Sequence, residues 1–260
     1  MRSDQQIWRE FLDFRIMECL GLWSRAVIHF PFGRMILLHP DDAPCLLMEG
    51  SLERASPAQV LGETEALVSG LDLGCAFMFS SAWRGDVAAF KAYISERGYR
   101  PAFEQFWMVK EDFSDIESIP DSGYIIDDTP NSAVVKDLYR RALGASDALS
   151  DLLKRKLDTG GGPINTGFVV AKTPNGEPVA CGGYSHASTI SYFHCLGTLK
   201  EHRRRGIAKH MAKVRLRMMR ERGVEYTVGA VSKRNIPSIE MQKSLGYRVL
   251  EETVIWRKIE

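Results

Sequence analysis

The residues best suited to chemistry fall in one run, Leu196-Gly197-Thr198-Leu199-Lys200-Glu201-His202-Arg203-Arg204-Arg205-Gly206-Ile207-Ala208. An apolar strand pattern over 190–198 leads into it, and a helical pattern begins at Ile207. A helix start presents unpaired N–H groups and the positive end of a dipole. Gly206 lets the backbone come close to a phosphate, and the small Ala208 keeps the helix entrance open. The N–H groups from about Arg204 to Lys209, with the fixed charge of Arg203, Arg204 and Arg205, therefore describe a diphosphate site. The plain alternative for the same residues is a solvated basic turn. A second candidate pair is Tyr192 and His194, which share one face of the strand because side chains alternate. An imidazole has the better solution pKa for a general base, so His194 leads; packing is the competing role, and His186 is a weaker candidate.

The elements that must hold these residues read as follows. Residues 4–23 repeat apolar side chains at helical spacing. Strands fit Arg34 to Leu38 and Cys45 to Met48, bounded by His39-Pro40-Asp41-Asp42 and Glu49-Gly50. Ser56-Pro57 opens a helix that Gly70 closes; a strand over 74–79, a helix through Val87, Phe90 and Ile94, and a strand over 103–110 follow. A short strand at 124–126, helices at 132–143 and 147–157, and a hairpin over 168–184 come next. Thr159-Gly160-Gly161-Gly162-Pro163 reads as a connector or a mobile substrate-side loop. After Gly206 a helix places Ile207, Met211, Val214 and Met218 on one face and Lys209, Lys213, Arg217 and Arg220 elsewhere, and Gly223 closes it. A strand over 224–231, a helix opened by Asn235-Ile236-Pro237-Ser238 and a strand over 247–258 complete the chain.

The two halves end alike. Gly98-Tyr99-Arg100 and Gly246-Tyr247-Arg248 each stand 12 residues before a final lysine, Lys110 and Lys258, and each follows helix, strand and helix. This points to a duplication at the level of the fold. The acidic stretch after Glu111, with Pro120 and Gly123, places a boundary near 112–121.

Composition bounds the rest. With 260 residues, 45% hydrophobic and 26% charged, the chain is long enough to bury a core without staples. A net charge of +1 argues against a dedicated nucleic-acid binder; the basic helix at 209–222 offers too few aromatics for base stacking. The five cysteines (Cys19, Cys45, Cys75, Cys181, Cys195) form no C-x-x-C pair and are odd in number, which argues against a disulfide framework or a metal site and for a reducing, cytoplasmic setting. Cys181 and Cys195 read as core. The first residues lack the basic-then-apolar order of a signal peptide, and no run reaches the roughly 18–20 apolar residues of a membrane span.

Arg203-x-x-Gly206-x-Ala208, then one helix, one strand, Asn235-x-x-Ser238 and Leu245-Gly246-Tyr247, resemble the acyl-CoA signature of the GNAT superfamily of N-acetyltransferases. The resemblance covers 121–260 directly and 1–110 through its closing elements. It implies an α/β fold with a mixed sheet, the GNAT acyl-CoA N-acyltransferase fold, in two tandem units. Residues 1–115 would be a degenerate unit without a CoA motif, since no Arg-x-x-Gly-x-Ala precedes the helix at 57–69; residues 121–260 would be catalytic.

The implied activity is acyl-CoA-dependent N-acyl transfer (an acyltransferase of groups other than aminoacyl groups). Acetyl would pass from acetyl-CoA to a primary amine by direct attack, through a tetrahedral oxyanion held by a backbone N–H near Gly197 or Thr198. By the same resemblance, backbone groups of Leu196, Gly197 and Thr198 would meet the acyl and pantetheine portion. Arg203, Arg204, Arg205, Gly206, Ile207, Ala208 and Lys209 would hold the diphosphate, and Asn235 and Ser238 would meet the pantetheine arm. Family members often carry a tyrosine acid seven residues after the asparagine; here that position is Gln242, which cannot donate a proton as an acid. A water, another hydroxyl or unaided departure of the thiolate remain for that step, and a non-catalytic acyl-CoA-binding regulatory protein is the alternative. The Leu-Gly-Thr-Leu run is also similar to the glycine N-acyltransferase branch, which usually has a glutamate near Tyr192 that this chain lacks. The implied acceptor is a small-molecule amine or amino acid, received by loops and early helices at about 132–165 and by the first unit. No metal, nucleic acid or membrane is implied.

Overall fold

The computed structural model describes residues 2–22, 24–38, 45–71, 73–159 and 164–259. The boundary residues at 39–42 and the Gly160–Pro163 stretch lie outside the described residues. The chain folds as two compact units, Met1–Trp107 with Ser232–Arg234 and Val249–Glu260, and Met108–Val231 with Asn235–Arg248. A single cut near 112–121, giving 1–115 and 121–260, does not describe this division. The last strand belongs to the first unit because its backbone pairs there: Val254 lies opposite Phe79 and Trp256 opposite Phe77, antiparallel.

The first unit runs α1 (Asp4–Leu22), β1 (Ser24–Phe30), β2 (Gly33–Leu38), β3 (Cys45–Gly50), α2 (Pro57–Ser69), β4 (Cys75–Phe79), α3 (Val87–Ser95) and β5 (Tyr99–Lys110). With the terminal strand, named β11 below (Arg248–Lys258), its strands lie in the order β1-β2-β3-β4-β11-β5. Strands β3 and β4 are parallel neighbours, the geometry a helical crossover permits, and α2 is that crossover. The Ser56 side chain accepts from Gln59 N at its start, with Pro57 in the first turn. The core is aromatic: the rings of Phe77 and Phe90 meet edge to face at 5.4 Å, and Trp83 stacks on Phe90 at 5.4 Å. Strand β1 has no counterpart in the sequence reading; its Val27 and Ile28 are flanked by arginine and histidine, which dilute the apolar pattern.

The second unit runs β6 (Ile125–Asp127), α4 (Ser132–Leu143), α5 (Asp147–Thr159), β7 (Asn165–Lys172), β8 (Pro178–Ala187), β9 (Ile190–Thr198), α6 (Ile207–Glu221), β10 (Tyr226–Ser232) and α7 (Ile236–Lys243). Its strand order is β10-β9-β8-β7-β6, with β9 and β10 parallel and joined through α6. Helix α4 packs on β8 and β9, and α6 touches β7, β8 and β9. The buried side of α6 carries Ile207, Met211, Ala212, Lys213, Arg215, Leu216 and Met219, rather than the Ile207–Met211–Val214–Met218 face that simple periodicity gives. Two of these are charged, and each has a partner: Lys213 reaches Asp121 at 3.0 Å and Arg215 donates to the Gly183 carbonyl at 2.9 Å.

The two halves repeat one order, strand–helix–strand–helix–strand, in β3–α2–β4–α3–β5 and β9–α6–β10–α7–β11. Each last strand is entered through a left-handed glycine, Gly98 (φ 87°) or Gly246 (φ 79°), followed by a buried tyrosine. Tyr99 donates to Glu65 at 2.9 Å, and Tyr247 meets Thr227 at 2.8 Å.

Candidate functional site

Strands β9 and β10 pair only from Ile190–Tyr226 to Phe193–Gly229. Beyond Phe193 the described residues of this unit show no pairing between them, although β9 continues to Thr198. The parting coincides with a bulge. On the other side of β9, Gly197 faces Cys181 and His194 faces Gly183, so Cys195 and Leu196 together oppose Gly182. Cys195 adopts φ 53°, a left-handed value that a non-glycine residue keeps only when its surroundings impose it. A bulge frees backbone groups from the ladder, and here it does so where the neighbouring strand has turned away.

The arginine turn lies at the end of this gap. Thr198 leads through Leu199 into a single 3-10 turn, Lys200–His202. Arg203 is extended, Arg204 is left-handed (φ 64°), and Gly206 caps α6 at φ 75°. The N–H of Arg203 bonds back to Lys200 O and that of His210 to Gly206 O. Between them, no N–H from Arg204 to Lys209 has an acceptor among the described residues. Left-handed residues within such a turn are how backbone N–H groups form an anion-binding concavity, and the start of α6 adds its dipole. The turn is braced by its own side chains: Arg203 Nε donates to Thr198 O at 3.0 Å and Arg205 to Glu201 O at 3.1 Å, while Tyr124 Oη meets His202 Nδ1 at 3.2 Å. All three arginines are exposed. Gly206 is demanded by conformation, not by space, since a Cβ there would come no nearer than 3.8 Å to Ser122.

The other predicted residues fall on both sides of the gap. Gly197 lies beneath Leu143 and Ala142 of α4, and Leu196 turns toward Arg215 and Gly182. Asn235 caps α7, its Oδ1 accepting from Ser238 N at 3.3 Å, so part of its hydrogen-bonding capacity is used locally. Tyr192 and His194 are buried with ring centroids 5.3 Å apart. His194 Nε2 meets Ser185 Oγ at 3.1 Å, Ser185 Oγ meets Thr166 Oγ1 at 3.1 Å, and His194 Nδ1 meets Cys195 Sγ at 3.2 Å. His186 stacks near Tyr184 at 6.4 Å, and burial lowers its pKa.

Three features escaped the sequence reading. Gln242 places its Oε1 3.2 Å from where a Cβ on Gly229 would stand, at the last paired position before the gap. That oxygen is buried and has no donor among the described residues. Arg215 is a buried guanidinium 4.5 Å from the Phe193 ring centroid, its pKa pushed down to about 10 by burial, which leaves it charged at neutral pH. Finally, residues 117–122 pin α6 turn by turn: Glu117 to Arg217 and Arg220, Asp121 to Lys213 and His210, and Ser122 to His210. No periodicity reports these, because each joins residues about 80 to 100 positions apart.

Residues 134–247 match the model of the acetyltransferase (GNAT) family. They are a GNAT-family acetyltransferase domain. No curated protein matches the chain significantly in sequence. Among solved structures, the fold is similar to a functionally unknown conserved protein from Staphylococcus epidermidis (TM-score 0.67, 13% identity, 91% of this chain and 95% of that one). It is also similar to a tandem GNAT protein from the clavulanic acid biosynthesis pathway (0.66, 16%, 93% and 86%) and to a GCN5-related N-acetyltransferase from Kribbella flavida (0.65, 14%, 95% and 93%). These likenesses establish the GNAT fold over nearly the whole chain, with a tandem GNAT among those that share it. The family as a whole uses acyl-CoA as co-substrate. Among the described residues, no helix is long and apolar enough to cross a membrane, and no three His, Cys, Asp or Glu side chains are grouped to hold a metal ion.

Proposed function

We propose that the second unit is an acyl-CoA-dependent N-acyltransferase that passes acetyl from acetyl-CoA to a primary amine, by direct attack through a tetrahedral intermediate. The observation that carries this reading is the open end of the β9–β10 pair, with a turn of unengaged backbone N–H groups at its far end. An extended ligand with a diphosphate at one end and polar amides along its length fits that combination: amides for the unpaired strand edge, phosphates for the turn. Arg203 to Lys209 would hold the diphosphate. Leu196, Gly197 and Thr198 would offer backbone groups along β9, with Asn235 and Ser238 meeting the arm from the α7 side. The unpartnered Gln242 Oε1 supplies an acceptor that an amide or amine N–H of a bound ligand would satisfy.

For the chemistry, a bulge N–H beside Cys195 to Thr198 would stabilise the developing oxyanion. The buried charge of Arg215 adds a positive potential next to this strand. His194 is the proposed base, with Tyr192 beside it; its contacts to Ser185 and Cys195 hold the ring, and Ser185–Thr166 continues a hydroxyl path. The acceptor is a small amine or amino acid, and the setting proposed is cytoplasmic.

Acetyl-CoA is expected to raise the melting temperature, and Gly206→Glu to abolish that shift by setting a carboxylate against the phosphates. Absence of a shift with any acyl-CoA overturns the proposal. Free CoA thiol released over a panel of amines measures the reaction itself. A second reading, an acyl-CoA-binding regulator, is favoured by Gln242 at the usual tyrosine position; a thermal shift without thiol release from any amine selects it.

A further inference from the structure

The first unit contains a cavity of about 380 Å³ that the acyl-transfer reading does not use. It opens beside the turn between β3 and α2 and is lined by four arginines, Arg9, Arg34, Arg54 and Arg84, and two carboxylates, Asp13 and Glu49. The carboxylates serve one arginine only. Arg34 Nε donates to Glu49 and its NH1 to Asp13, each at 2.5 Å, which fixes the half-buried Arg34 in the wall. Arg9, Arg54 and Arg84 make no side-chain hydrogen bond or ion pair among the described residues. Three guanidinium groups without a carboxylate partner of their own thus line one recess, where a bound anion would give them one.

A second observation points the same way. Ser51, 9% exposed, lines the same cavity, and its Oγ is buried without a hydrogen-bond partner. A native buried hydroxyl left unpaired is uncommon, and an oxyanion of a ligand would satisfy it. The walls are also firmly set: Leu52 N donates to Arg84 O and Arg84 N to Gly50 O, both at 2.9 Å, so Arg84 and Ser51 are held side by side by backbone bonds.

We propose that this cavity binds a small organic polyanion, either a phosphate ester or a polycarboxylate, through the guanidinium forks of Arg9, Arg54 and Arg84. Arginine suits both because its planar donors take two oxygens at once, and a cavity of this size admits a small metabolite rather than a polymer. The charge balance of the lining, four arginines against two acids, leaves room for a ligand of about two negative charges.

The test is calorimetric titration of the full chain with pyrophosphate and, separately, with citrate, at constant ionic strength, in wild type and in Gly206→Glu. Expected is binding of at least one probe, retained in Gly206→Glu and weakened at least tenfold in Arg54→Gln/Arg84→Gln. Both arginines are exposed, so this variant should melt as wild type does, and Arg54→Lys/Arg84→Lys separates fork geometry from charge. Pyrophosphate alone assigns a phosphate ester, and citrate alone a polycarboxylate. Binding of neither probe, binding lost in Gly206→Glu, or binding unchanged in the glutamine variant overturns the proposal.

Discussion

The two parallel strand pairs, β3–β4 and β9–β10, begin alike and end differently. Each parts after a few paired residues, at Leu47–Phe77 in the first unit and Phe193–Gly229 in the second. In the first unit the chain then closes its own gap. The loop after β4 returns, and Arg84 forms a parallel bridge to Ser51 with two backbone hydrogen bonds. Trp83 fills the space behind, its Nε1 donating to Met78 O at 2.8 Å and its ring lying where a Cβ on Gly50 would be, at 2.5 to 2.8 Å. In the second unit no such segment enters among the described residues, and the freed edge leads to unengaged N–H groups. One βαβ frame therefore gives a filled slot or an open one, according to whether a tryptophan and a short loop occupy it.

The sharpest break of this comparison is at the two turns. Gly206→Glu should remove stabilisation by acetyl-CoA completely, while Arg54→Glu, at the corresponding turn, should leave it intact; loss in both would mean the slots do not differ. Next in size, Trp83→Ala should cost about 3–5 kcal/mol in denaturant unfolding. Calorimetry should still count one acyl-CoA per chain, because no Arg-x-x-Gly-x-Ala turn stands between β3 and α2. A second equivalent would show that Trp83 alone excludes the ligand.

Smaller effects separate space from conformation. Gly50→Ala meets the Trp83 ring and should cost about 1–3 kcal/mol. Gly206→Ala has room but must hold a left-handed φ, at about 1–2 kcal/mol. Asparagine, which tolerates that conformation, should recover part of the loss at 206 and none at 50. Thermal melts of the four variants decide this.

The smallest expected effect is on pH dependence in the second unit. Burial holds the pKa of His210 below its ordinary 6.5, against the opposing pull of Asp121. The unfolded chain then takes up a proton first, so stability should fall as pH drops below about 6.5. His186, lowered by burial and by Arg222, adds to the same trend. Melting curves on either side of that pH should show a shallower loss for His210→Gln; an unchanged slope would remove His210 from the account.

Much of the second unit was legible because its signals are local. Helix α4 begins after Asn131, whose Oδ1 accepts from Ala133 N at 2.8 Å, and ends at left-handed Gly144; β9 spans the 190–198 run as its apolar residues suggest. The arginine turn and Asn235 could be read for the same reason, as short motifs whose spacing is fixed by one helix and one strand. The buried face of α6 was misread because Lys213 and Arg215 look like solvent residues until Asp121 and Gly183 O are found beside them.

By itself the sequence determined most elements of the second unit, the repeated ending of the two halves and the glycine-gated turn before α6, since caps, periodicity and glycine positions act within a few residues. Tertiary structure alone decided that β11 pairs with β4, that Trp83 and Arg84 close the first slot, and that Gln242 Oε1 stands unpaired beside the second. Strand partners and gap filling depend on packing between residues tens to hundreds of positions apart, and no local pattern encodes which side chain reaches an opening first.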